Sequence, residues 1–200
     1  MAIQQMLLGI GPGEVPFNLP TWSTVDSGWT ASNNDHDGDF SGSGYSHIIT
    51  SALTDGTTYR FFLERYVPSS YGGWFFTDTT SPSNTVPDEF SGNSLGQRKG
   101  ESDAGAYGSY ATANSVSAGQ GAFNNWDSIE DATVIIEFVV NRTVDKVWMR
   151  KKNDASWLEG GDPNNTSSTP TFNIPGGEDT IYFGCVEHSG SGGYANFSDS

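Results

Sequence analysis

The chain has a single cysteine, Cys185, in 200 residues, so no internal disulfide can form. That thiol lies in the apolar run TIYFGCVEH, which predicts a buried, reduced side chain. A small disulfide-stapled secreted module is thereby excluded. Positive charge is equally scarce. Nine Lys and Arg stand against 24 Asp and Glu, for a net charge of -15. Phosphate backbones require a basic surface to displace counterions, which argues against nucleic acid as a partner. Anionic membrane surfaces are disfavoured for the same reason. The opening MAIQQMLLGIGPG lacks a basic n-region, and its apolar stretch is short for a signal peptide or a membrane span. No window of a dozen residues carries helical periodicity.

Glycine at 25, abundant Ser, Thr and Asn, and 13% aromatics point instead to short strands joined by turns. The chain length suits one domain, predicted as an all-β antiparallel sandwich over 21–200. Strands are predicted over Ser23–Thr30, Ser46–Leu53, Thr58–Val67 and Gly73–Thr77 in the first half. In the second half they fall over Ala132–Val140, Lys146–Lys151, Thr169–Ile174, Thr180–Glu187 and Gly193–Phe197. TYRFFLERYV alternates Tyr59, Phe61 and Leu63 with Arg60, Phe62 and Glu64, whereas ATVIIEFVV reads as a central strand covered on both faces. Glu137 stands alone in that run and calls for a basic partner such as Arg150. The Ser-, Gly- and Asn-rich stretch 79–124 reads as an elaborated loop region.

Residues 1–20 stand apart as an N-terminal arm. Ile3, Met6, Leu7, Leu8 and Ile10 form an apolar tip, and GPGEVPFNLP behind them is stiff and extended. Prolines cannot donate to a sheet ladder, so the tip is predicted to find its cover on another chain.

NNDHDGDFSG, residues 33–42, places Asp35, Asp37 and Asp39 at alternate positions. Such carboxylates can converge on calcium, which takes six to eight oxygens. The EF-hand pattern is not met: Phe40 stands where it needs glycine and Ser46 where it needs glutamate. Calcium and a solvated Asx-rich turn both stay open.

The most informative segment is FVVNRTVDKVWMRKKNDASWLEGGDP. An apolar strand ends at Asn141, restarts as KVWMRKK, turns at Asn153-Asp154 and reaches Trp157 before a Gly- and Pro-rich loop. Together with Phe172, Ile181-Tyr182-Phe183, Gly184, Val186 and Asn196-Phe197, this order resembles the SPRY family of concanavalin-like sandwiches. The likeness is greatest to SPRY-like domains of bacteriophage virion proteins. It departs at Asn141, at Asp154, after Tyr182 and at Ser198, where the family has other residues. The resemblance implies a jelly-roll sandwich. With the arm, it implies a virion structural protein: a decoration or fibre component made in the host cytoplasm and displayed on the particle. Its partners would be other virion proteins and copies of itself.

Catalysis is not predicted. Hydrolases on such sandwiches need two carboxylates facing one cleft, and Asp127, Glu130 and Asp131 in NNWDSIED read as a turn. His36, His47 and His188 are scattered, with no nucleophilic triad. The alternative function is glycan binding, for which Trp29, Trp126, Tyr107 and Tyr110 near polar loops are candidate platforms. A host-surface saccharide would be the ligand.

Overall fold

In the computed structural model the described residues are 14–66, 72–81, 94–98, 105–106, 133–174, 180–189 and 192–200. The first strands are short: β1 (Trp22–Val25), β2 (Trp29–Ser32) and β3 (Asp37–Phe40). Longer ones follow as β4 (Ser43–Thr50), β5 (Thr58–Tyr66) and β6 (Gly73–Thr77). β7 (Ser94–Arg98) and β8 (Gly105–Ala106) come next. The chain then forms β9 (Val134–Asn141), β10 (Lys146–Lys151) and β11 (Phe172–Asn173). β12 (Tyr182–Ser189) and β13 (Gly193–Ser198) complete the fold. Two antiparallel sheets result, ordered β1-β4-β12-β6-β7-β8 and β11-β10-β9-β5-β13-β3-β2. This is the predicted jelly-roll sandwich.

Alternation along the strands decides what lies between the sheets. Phe61 and Leu63 of β5, Ile136, Phe138 and Val140 of β9, and Val147 and Met149 of β10 are fully buried there. Trp74 and Phe76 of β6 and Phe183 and Cys185 of β12 meet them from the other sheet. Ile181 is buried as predicted, whereas Val134 is only partly so. Burial pushes the Cys185 thiol up to about 12. The thiolate is the reactive form, so Cys185 should not react with Ellman's reagent at neutral pH until the protein unfolds. Rapid labelling of the native chain would refute that placement.

Three differences from the expected strands have local causes. Ser23–Thr30 is two strands, because the chain crosses between the sheets at Asp26–Gly28. Gly28 has φ +105°, and a Cβ there would approach the Gly42 Cα to 2.9 Å. The acidic stretch is a turn followed by β3, not a loop throughout: Asn33, Asn34 and Asp35 adopt φ of 52°, 54° and 62°. β7 and β8 lie within the stretch read as a loop, with Leu95 of β7 buried in the core.

Glu14–Pro20, the described part of the predicted arm, packs on the sandwich. β5 is paired with β13 only from Phe62 onward, and Asn18 takes the vacant place beside Arg60 through backbone bonds of 3.0 and 3.3 Å. A single bridge leaves Pro16 and Pro20 outside any ladder, so neither obstructs it. Phe17 lies against Phe62 at 5.4 Å, and Leu19 packs on the core. Ile3, Met6, Leu7, Leu8 and Ile10 lie outside the described residues.

The sheet crossing is fastened by Asp26, which accepts bonds from the His47 backbone N–H (3.0 Å) and meets His47 Nδ1 at 3.1 Å. Burial nevertheless holds the His47 imidazole below its usual 6.5, outweighing the raising effect of Asp26. The unfolded chain therefore takes up a proton near pH 6.5 that the folded protein refuses. The stabilising contribution is whole above 6.5 and is lost as pH falls toward the lowered folded value. In His47→Gln the decline in melting temperature from about pH 7 to about pH 5 should be shallower than in the wild type. Identical slopes would exclude His47 as a source of acid sensitivity.

Candidate functional site

The outer face of the seven-stranded sheet carries a buried carboxylate where an apolar side chain would be expected. Glu137 of β9 has no solvent exposure, and Arg150 of β10 is its direct cross-strand partner. Arg150 Nε donates to Glu137 Oε2 at 2.6 Å. From β5, Arg60 reaches the other oxygen: Nε donates to Oε1 at 2.8 Å, and Nη2 lies 2.7 Å away. Two guanidinium groups thus share one carboxylate, and both carboxylate oxygens are occupied. Each guanidinium is also backed by an aromatic ring. Phe17 lies 4.5 Å from Arg60, and Trp157 lies 4.4 Å from Arg150. Such stacking holds a planar cation flat and limits its rotamers.

Two segments wall the space above this clasp. On one side, the Val15 carbonyl accepts from Arg60 Nη1 at 2.8 Å, and the Val15 N–H donates to Asn164 Oδ1 at 3.0 Å. On the other, the loop after Trp157 is pinned at several points. Asp162 Oδ1 accepts from the Asn164 N–H at 2.9 Å and from its side-chain amide at 3.1 Å. Trp148 Nε1 donates to the Thr169 carbonyl at 3.0 Å. Gly161 is required at this crossing, because a Cβ would lie 1.9 Å from that carbonyl oxygen. The half-open cavity is about 160 Å³ and is lined by Glu14, Arg60, Val139, Arg150, Trp157 and Asn164, among others. Its lining offers guanidinium and amide donors, a carboxylate acceptor at the rim and an indole at one side.

Among the described residues, none of the site residues predicted from sequence lines this cavity. Trp29 is buried in the core, with its ring 5.3 Å from that of Phe40 and its Nε1 donating to the Ser46 carbonyl at 3.1 Å. It has no open face for a sugar, because the sheet crossing folds it inward. Trp126, Tyr107 and Tyr110 lie outside the described residues. Asp35, Asp37 and Asp39 do not converge: Asp35 is in the turn, while Asp37 and Asp39 pair across β3 with Asn196 and Tyr194. Among the described residues no three His, Cys, Asp or Glu side chains are placed to hold a metal ion. The pairing of Glu137 with Arg150 was legible in the sequence; the contributions of Arg60, Asn164 and Glu14 were not. A charged residue interrupting each of two neighbouring apolar strands is the signal that brings Arg60 and Glu137 together.

No protein-family model matches the sequence, and neither does any curated protein. Among solved structures, the fold is similar to the SPRY domain of human HERC1. The identity is 10% and the TM-score 0.55, over 86% of this chain and 92% of that one. The neuralized NHR1 domain of Drosophila melanogaster gives 13% and 0.45, over 92% of this chain and 100% of that one. The carbohydrate binding module CBM66 from Bacillus subtilis gives 11% and 0.43, over 92% and 96%. At these identities the likeness is one of fold, a SPRY-like β-sandwich of the concanavalin type.

Proposed function

We propose that this chain is a non-catalytic binding module that takes a saccharide unit in the cavity above Glu137. The Arg60–Glu137–Arg150 clasp is the observation that carries this reading. It fixes donors at the floor of a small polar cavity beside an indole wall, so little ordering cost remains when a ligand binds. Sugars present hydroxyls, which match the almost wholly polar lining of the cavity. Acid–base work does not suit the site. Glu137 spends both oxygens on guanidinium donors, and glycoside hydrolysis needs two carboxylates able to exchange protons.

The setting on a virion surface, with other virion proteins and sister copies as partners, rests on the sequence resemblance and on the apolar tip at Ile3–Ile10. The Glu14–Pro20 packing moves the attachment segment to the residues before Glu14. Screening the full chain on a glycan array tests the binding function. Trp157→Ala and Asn164→Ala should each weaken a retained saccharide by about tenfold or more while the fold persists. Undiminished binding by both variants would place the ligand elsewhere.

A further inference from the structure

We infer that the cavity selects saccharides bearing a carboxylate, such as uronic or sialic acids, and that Glu14 stands in for that carboxylate when the cavity is empty. The inference rests on the saccharide reading above and narrows it.

The charges at the floor do not cancel. Arg60 and Arg150 bring two positive charges and Glu137 brings one negative, leaving a surplus of one directed at the cavity. Glu14 meets that surplus only loosely. Its Oε2 lies 4.0 Å from Arg60 Nη1, beyond hydrogen-bond reach, and its side chain is 49% exposed. Arg150 is likewise underused. Its Nε is committed to Glu137, its Nη1 makes a long 3.4 Å bond to the Asp154 carbonyl, and Nη2 donates no hydrogen bond among the described residues. A planar carboxylate entering between Arg60 and Arg150 would find charged donors already held flat by Phe17 and Trp157 and displace Glu14 toward solvent. The net charge of -15 does not overrule this local preference. At about 0.1 M salt, charges more than roughly 10 Å away are largely screened, whereas contacts at the cavity floor are not.

The test is an NMR titration of the full ¹⁵N-labelled chain, following the Arg150 Nε–H and Asn164 side-chain amide signals. The ligands are glucuronate, galacturonate and N-acetylneuraminate, with glucose, galactose and N-acetylglucosamine as neutral counterparts. At least one acid should bind about tenfold or more tightly than the neutral sugars. Glu14→Gln should tighten that acid by about two- to fivefold relative to the neutral sugars. Neutral sugars that bind as tightly as the acids, moving the same signals, would overturn the acid selectivity and leave the saccharide reading intact. Signals unmoved by every sugar, acid or neutral, would overturn both.

Discussion

Replacing Phe183 by alanine should lower stability by about 3–5 kcal/mol and the melting temperature by on the order of 10 °C. Phe183 is fully buried in β12 and is the ring on which the two sheets meet. From its own sheet it contacts Phe76 at 5.0 Å and Trp74 at 6.5 Å. Across the interface it meets Phe61 at 5.4 Å, Phe138 at 5.3 Å and Phe197 at 6.0 Å. Most of these pairs are edge-on or tilted, the arrangement that aromatic quadrupoles favour. Large neighbours on every side cannot all move inward at once, so the truncation leaves a cavity instead of a collapsed core. Urea denaturation of the variant provides the measurement. A loss below about 1 kcal/mol would mean that the ring is not the centre of the packing.

Glu187→Ala should be comparably damaging, at about 3 kcal/mol, for an electrostatic reason. Arg65 and Glu187 face each other across the core edge at 3.3 Å, and neither side chain is exposed. Arg65 also donates to the carbonyls of Tyr66 at 3.1 Å, Tyr194 at 2.8 Å and Val186 at 2.9 Å, and its guanidinium faces Trp29. Removing the carboxylate leaves a buried cation supported by dipoles alone. Those carbonyls soften the loss, which is why the lower end of the range for a broken buried pair applies. Replacing both partners, as Arg65→Met with Glu187→Leu, should recover about half of the loss or more, since the Arg65 cation is then no longer left buried without the Glu187 carboxylate. If the double variant is less stable than Glu187→Ala, the carbonyl contacts of Arg65 matter more than the ion pair.

The second half of the fold was readable because its sequence signals are redundant. β9 is an apolar run and β10 carries Val147-Trp148-Met149 between basic residues, so their position is plain, with Ile136, Phe138, Val147 and Met149 facing inward. β3 alternates, but its inward residues are Gly38 and Phe40, and a glycine carries no hydrophobic signal. Outward Asp37 and Asp39, poor strand formers, completed the disguise. β7 offers Leu95 as its one large apolar residue within SLGQR, which resembles the surrounding loop composition. The candidate site was less legible still. Its clasp is drawn from β5, β9 and β10, and its walls meet through Val15 and Asn164, which are 149 positions apart. No local spacing encodes such a meeting. Trp29 misled for a related reason, since a tryptophan beside polar residues looks the same whether the chain turns it outward or crosses beneath it.

The position of β13 bears on how the protein is made. This strand lies between β5 and β3 in the interior of its sheet, although it comes last in sequence among the described strands. During translation β5 and β9 can pair early, but the β2–β3 hairpin has no neighbour in its sheet until Gly193–Ser198 has cleared the ribosome. An isolated two-stranded ribbon is at best marginally stable in water. The nascent chain therefore carries an open β5 edge over Phe62–Tyr66 until β13 has been made, a state prone to intermolecular pairing. Loss of Gly193–Ser198 would make that transient state permanent, so this strand is a requirement for solubility.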